Sequence, residues 1–258
     1  MKAKRIVVKV GTSTLTYDSG RLNIRRIDHL CKVLSDLQNS GREVILVSSG
    51  AIGVGMGKLG LPQRPEETEK KQALAAIGQC ELMFLYDKFF GEYDHTVAQV
   101  LLTADVVDFP RGRENVQNTF RELLSMGVIP VVNENDTVSV EELKFGDNDI
   151  LSVHIARMLE ADALFILTSV DGLYPPGGSR KTIIPRVEDV DAVLAFAEED
   201  RGRFSMGGMS AKLQAIREAV NAGVGTYMMN GRHPERIGLL LEGGREGAGT
   251  FFAPARKG

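Results

Sequence analysis

Two cysteines and four histidines are all that this 258-residue chain offers of thiol and imidazole chemistry. Cys31 and Cys80 both fall inside helical patterns, and neither belongs to a CxxC pair or a Cys/His cluster, which argues against a disulfide framework and a zinc site. A long lysine or arginine run is also missing. With a formal charge of −3 and a pI near 5.9, that absence argues against duplex nucleic acid as a partner, since binding it calls for a basic face. The first apolar run, RIVVKV, is far too short for a signal-peptide core or a membrane span. The expectation is therefore a cytoplasmic protein, away from membranes, with small molecules as partners. Internal repeats and low-complexity tracts are absent as well.

What is present is an ordinary globular composition, 43% apolar and 25% charged, enough for one large α/β domain or two small ones. Arg5 to Val10 is rich in β-branched residues and stops at Gly11, as a strand entering a turn does. Ile24, Ile27, Leu30, Leu34 and Leu37 recur at helical spacing up to Gly41, after which EVILVSSG gives a second buried strand. Further apolar runs at Thr96–Leu102, Val128–Val132, Ala163–Leu167 and Gly225–Met229 follow helix-length amphipathic stretches such as Asn115–Met126 and Asp149–Leu159. This alternation predicts an α/β fold with a largely parallel sheet and helices on both faces. YPPGGSRKT, Tyr174 to Thr182, is the conspicuous linker and parts an amino-terminal half from a carboxyl-terminal half.

Ligands of parallel sheets sit outside the carboxyl ends of the strands, so the strand ends carry the candidate chemistry. The first strand ends in Lys9-Val10-Gly11-Thr12-Ser13, where small residues expose backbone N–H groups beside a lysine, a combination suited to phosphate oxygens. A tight turn with a solvated lysine reads the same residues without function. The second ends in Ser48-Ser49-Gly50-Ala51 at a helix start. GMGKLG, Gly55 to Gly60, matches GxGxxG formally. Its first glycine lies seven residues beyond Ser48, however, and no short strand ending in an acidic residue follows, so the dinucleotide fingerprint fails. A Walker loop fails too, because Lys58 precedes Leu59 and position 52 is Ile. Helix packing accounts better for those glycines.

From Val131 to Ser152 the chain gathers six carboxylates and three amides around one cation, Lys144. Capping of the following helix by Asp147 or Asn148 needs only one such residue. The rest would repel one another unless a lysine, a metal or a substrate ammonium joined them. In the other half, Ser205 to Lys212 (SMGGMSAK) opens a helix, with a Gly-Gly pair and a lysine in its first turns, again an anion site by dipole and charge.

Together KVGTSTLT, SSGAIGVG, NENDTV, FGDNDILS, GLY and GGMSAKLQA resemble, in order and spacing from about Arg5 to Phe252, the glutamate 5-kinase family of the amino acid kinase superfamily. The resemblance implies an αβα sandwich forming one amino acid kinase domain over residues 1–258. Its substrate lobe would run to about residue 170 and the nucleotide lobe from about 171, with no carboxyl-terminal PUA domain expected. It implies phosphorylation of the glutamate side-chain carboxylate by ATP, with Mg²⁺ held mainly by the phosphates and no protein metal site. By matching position, Lys9 and Lys212 would hold the transferring phosphoryl group, Asp149 would orient both, and Gly11 and Gly50 would assist. Ser49, Asp136 and Asn148 would take glutamate. Thr168, Ser169 and Met206, Gly207, Gly208, Met209, Ser210, Ala211 and Lys212 would line the nucleotide. Family members often carry Asp in place of Ser169 and Thr in place of Met206. Proline as feedback inhibitor of a proline-biosynthetic step, and a homo-oligomer, dimer or tetramer, are further implications. LMFLYDKFF, Leu82 to Phe90, reads equally as an association face or as core.

A glutamate carboxylate is ionised at pH 7 and needs no general base, which suits a chain poor in His and Cys. The rivals are an acetylglutamate, aspartate or other carboxylate kinase of the same fold, and a non-catalytic amino acid sensor. A free α-ammonium calls for carboxylates such as those of NEND, and a sensor would be expected to lack one of the phosphate lysines.

Overall fold

The computed structural model describes residues 3–17, 20–139, 148–175, 182–199, 208–243 and 247–255. In chain order its elements are β1 (Arg5–Val10), α1 (Thr12–Leu15), α2 (Ile24–Asn39), β2 (Glu43–Val47), α3 (Ala51–Leu59), α4 (Thr68–Glu92), β3 (Val97–Leu102), α5 (Ala104–Asp108) and α6 (Pro110–Ser125). There follow β4 (Ile129–Glu134), α7 (Asn148–Met158), β5 (Ala163–Thr168), β6 (Arg186–Val187), α8 (Val190–Glu199), α9 (Gly208–Asn221), β7 (Gly225–Asn230), α10 (Arg236–Leu241) and β8 (Thr250–Phe252).

One eight-stranded sheet runs in the order β3-β4-β2-β1-β5-β7-β8-β6. Every described pairing is parallel except β7 with β8. Strands from both halves of the chain therefore share a single sheet, with β5 between β1 and β7. Because side chains alternate across a strand, Ile6, Val8 and Val10 enter one core with Leu30 and Leu34 of α2 and Tyr86 and Phe90 of α4. Val7 enters the other, with Phe120 of α6, Leu151 and Ile155 of α7, and Leu213 and Ile216 of α9. Covered on both faces, β4 and β5 are buried throughout. Each fully buried Leu, Ile or Val stabilises the fold by roughly 1.5–3 kcal/mol before entropy is counted.

Helix α2 shows how local sequence sets the frame. Asn23 accepts a hydrogen bond from the Arg26 N–H at its start, Ile27, Leu30, Cys31, Leu34 and Leu37 make its buried stripe, and the chain leaves through Gly41 at φ 87°. The GxGxxG-like stretch lies within and just beyond α3, where its glycines serve packing. A Cβ at Gly55 would collide with the Leu74 carbonyl of α4, and one at Gly78 of α4 with the Ala51 carbonyl of α3. Backbone against backbone, α4 is thereby fixed to the first turn of α3. In the LMFLYDKFF stretch, Leu82, Leu85, Tyr86, Phe89 and Phe90 are buried and Phe84 is 62% exposed, so packing against the sheet accounts for most of its apolar content.

Candidate active site

Beyond the carboxyl ends of β1, β2, β4 and β5 lies a cleft of about 700 Å³. Lys9 reaches it because it shares the face of Val7, the face that α7 covers. Asp149, in the first turn of α7, meets it there. Lys9 Nζ is 2.7 Å from Asp149 Oδ1, and Lys212 Nζ, one turn into α9, is 2.6 Å from Oδ2. Lys9 and Asp149 are 2% and 1% exposed. Burial alone would raise the Asp149 pKa, but the two ammonium charges outweigh it and hold the carboxyl below its ordinary range. The α7 dipole acts in the same sense. The result is a permanent anion that draws two cations from opposite halves of the chain to one point.

Gly50 stands at φ 92° just before α3, a conformation that favours glycine, and an added Cβ would lie 3.0 Å from the Thr12 side chain. At Gly11 the space a side chain would take lies 3.8 Å from Lys9 Nζ. Both glycines line the cleft.

An amide network backs the other end. Asn148 Nδ2 lies 2.8 Å from the Ser48 carbonyl, 3.0 Å from Ser49 Oγ and 2.8 Å from Asn133 Oδ1. Asn133 Nδ2 donates to Gln79 Oε1 of α4 at 2.8 Å. Ser48 Oγ and the buried Tyr86 hydroxyl share a hydrogen bond of 2.9 Å, and burial pushes the Tyr86 pKa up, keeping it neutral. Ser139 Oγ donates to Glu134 Oε1 at 2.8 Å. Asn148 Oδ1 is buried with no partner among the described residues, which leaves one acceptor for a ligand N–H.

Of the residues singled out from sequence, Lys9, Gly11, Ser49, Gly50, Asp136, Asn148, Thr168, Ser169, Gly208, Met209 and Lys212 line this cleft. Asp149 sits beneath it as the bridge. Ser210 and Ala211 belong to α9 but not to the lining. Met206, Gly207, Lys144 and Asp147 lie outside the described residues, as does most of the linker after Tyr174. Asn133 and Glu134 end β4 instead of following it. Sequence reasoning overlooked Gln79 and Tyr86, whose helical spacing reads only as core, and Arg64, a single cation in the exposed loop between α3 and α4 that also lines the cleft.

A parallel α/β sheet whose strand ends present glycine turns and two carboxylate-bridged lysines defines a protein built to hold and move a phosphoryl group. The comparisons agree: the model of the amino acid kinase family matches residues 4–230, and glutamate 5-kinase of Listeria innocua is 48% identical over 263 residues, covering 99% of this chain and 95% of its own. The chain belongs to the amino acid kinase family, within its glutamate 5-kinase branch. Glutamate 5-kinase of Clostridium perfringens is likewise 48% identical, over 99% of this chain and 97% of its own, and that of Enterococcus faecalis 46%, over 97% and 95%.

Two solved structures share the fold. N-acetylglutamate synthase from Neisseria gonorrhoeae, complexed with coenzyme A and N-acetyl-glutamate, superposes with a TM-score of 0.73 at 14% identity, over 98% of this chain and 60% of its own. The T. acidophilum isopentenyl phosphate kinase product complex gives 0.66 at 18% identity, over 96% and 100%.

Proposed function

We infer that this chain transfers the terminal phosphoryl group of ATP to the side-chain carboxylate of L-glutamate, forming γ-glutamyl phosphate, the first step of proline biosynthesis. The observation that carries the reading is the Asp149 carboxylate, with ammonium groups of Lys9 and Lys212 at 2.7 and 2.6 Å. The near-full-length kinship with glutamate 5-kinases supports the choice of acceptor.

A γ-carboxylate oxygen of glutamate attacks the terminal phosphorus, the bond to the bridging oxygen breaks, and ADP leaves with that electron pair. The acceptor is already ionised at neutral pH, so no base has to take a proton. What the loose transition state requires is positive charge around its peripheral oxygens. Lys9 and Lys212 supply it from the two halves, and Asp149 holds their nitrogens in place before substrate arrives. Backbone at Gly11 and Gly50 can approach the phosphoryl closely. Among the described residues no three His, Cys, Asp or Glu gather as metal ligands, and Asp149 is engaged by two lysines. That donor set fits a Mg²⁺ carried on the phosphates of ATP, where it neutralises charge.

Ser49, Asp136 and Asn148 take glutamate in the amino-terminal lobe. Thr168 and Ser169, at the lobe boundary near residue 170, and the start of α9 in the carboxyl-terminal lobe take the nucleotide. Proline competes at the glutamate site, and the enzyme works as a homo-oligomer in the cytoplasm. No described helix is long and apolar enough to cross a membrane.

The test is ADP release with glutamate, acetylglutamate, aspartate and carbamate side by side, with hydroxylamine to trap acyl phosphate as hydroxamate. Glutamate is expected to be the preferred acceptor. Preference for acetylglutamate or aspartate, or turnover without hydroxamate, overturns the reading.

A further inference from the structure

We propose that Arg64 binds the α-carboxylate of the amino acid substrate and so selects for acceptors that carry one. The inference rests on the reaction assigned above and adds a residue to its substrate subsite. L-glutamate brings three charges at neutral pH: the reacting γ-carboxylate, an α-ammonium and an α-carboxylate. The first must meet the phosphoryl group between Lys9 and Lys212, and Asp136 answers the second. Taking a free carboxylate out of water is costly unless a cation or several donors replace that water.

Three cations line the cleft among the described residues: Lys9, Lys212 and Arg64. The two lysines are held by Asp149 at the phosphoryl end. Arg64, exposed in the loop between α3 and α4, makes no described hydrogen bond or ion pair and lines the same cleft as Ser49 and Asp136. A guanidinium presents paired N–H donors that match the two oxygens of a carboxylate, a fit an ammonium does not offer.

The local sequence prepares the side chain for this. Arg64 stands between Pro62 and Pro65 in the loop joining α3 to α4. Pro65 disfavours helical backbone at the preceding residue, and the nearby prolines reduce the conformational freedom that binding would otherwise have to remove. The loop departs from two helices locked together at Gly55 and Gly78, so its anchors are stiff.

The experiment compares wild type, Arg64→Gln and Arg64→Lys in the hydroxamate assay, with L-glutamate and with 4-aminobutyrate, which keeps the amine and the reacting carboxylate but lacks the α-carboxylate. If 4-aminobutyrate turns over too slowly, its inhibition constant against glutamate replaces kcat/KM. Arg64→Gln is expected to raise the glutamate KM by about 10- to 100-fold, with kcat and the ATP KM within about threefold and the 4-aminobutyrate value unchanged. Arg64→Lys should recover part of the loss. An active enzyme indifferent to Arg64→Gln overturns the proposal. So do an equal loss for both acceptors, which would mean that the arginine does not touch the α-carboxylate, and a rise confined to the ATP KM, which would assign it to phosphate. A wild-type chain that forms no glutamyl hydroxamate removes the reaction itself, a result distinct from any of these.

Discussion

Replacing Asp149 by Asn keeps the shape of the side chain and deletes the charge between two lysines. At 2.7 and 2.6 Å, and with an effective dielectric constant of about 20, each ion pair is worth about 6 kcal/mol of direct attraction, most of it offset by desolvation of the partners. In Asp149→Asn the offset remains and the attraction is gone, and Lys9, 2% exposed, loses the carboxylate 2.7 Å from its nitrogen. Loss of one partner of a buried pair typically costs about 3–5 kcal/mol. That corresponds to a melting point lower by about 6–20 °C at this chain length. Turnover should fall at least about 100-fold, because the lysines then repel across the place where phosphoryl oxygens must sit. The pH dependence follows from the depressed folded-state pKa. Ionised Asp149 contributes stability fully above the ordinary carboxylate value of 3.8, and the contribution is lost as pH falls through the lower folded value. Denaturant titrations of both proteins should therefore show a constant gap between about pH 5 and 8 that narrows below about pH 4. A variant with wild-type stability at neutral pH, or a gap that widens on acidification, would refute the reasoning.

Lys9→Met or Lys212→Met should each lower kcat by about 100- to 1000-fold in the ADP-release assay while changing the glutamate KM far less; the reverse pattern would move the lysine to substrate binding. Gly78→Ala sets a methyl group into the Ala51 carbonyl, so α4 must leave α3, at about 1–3 kcal/mol by thermal or chemical denaturation. Gly91→Ala in the same helix meets nothing within 4 Å and should be neutral or stabilising by up to about 1 kcal/mol. Gln79→Met removes the acceptor of Asn133 Nδ2 and should raise the glutamate KM, whereas Gln79→Glu keeps an acceptor and should retain most of the affinity; equal behaviour of the two variants would show that the amide contact does not position the site.

The long strands were legible because β5 and β7 lie in mid-sheet and β1, β2 and β4 are covered on both faces, so each must be an unbroken apolar run. β6 and β8 were not. At two and three residues they carry no periodicity, and only pairing makes them strands, β8 antiparallel to β7 and β6 parallel to β8. Helix α4 was half legible: its apolar segment is plain in sequence, but which side chains turn inward depends on the α3 crossing at Gly55 and Gly78. In the site, the turn glycines, Lys9 and the start of α9 announced themselves as anion-binding pieces. Arg64 did not, since a lone arginine between prolines in an exposed turn has no pattern to stand out from.

Sequence by itself determined the parts: buried parallel strands, glycine turns at their ends, a lysine in each half, and carboxylates in excess of what capping requires. Those are local properties, set by residue type and near-neighbour spacing. Only the tertiary structure decided that Lys9, Asp149 and Lys212, dispersed over more than 200 positions, share one point, that Arg64 lines their cleft, and that Gln79 backs it through Asn133. The crossovers between parallel strands bring distant strand ends side by side, and no local pattern of residues encodes which ends will be neighbours.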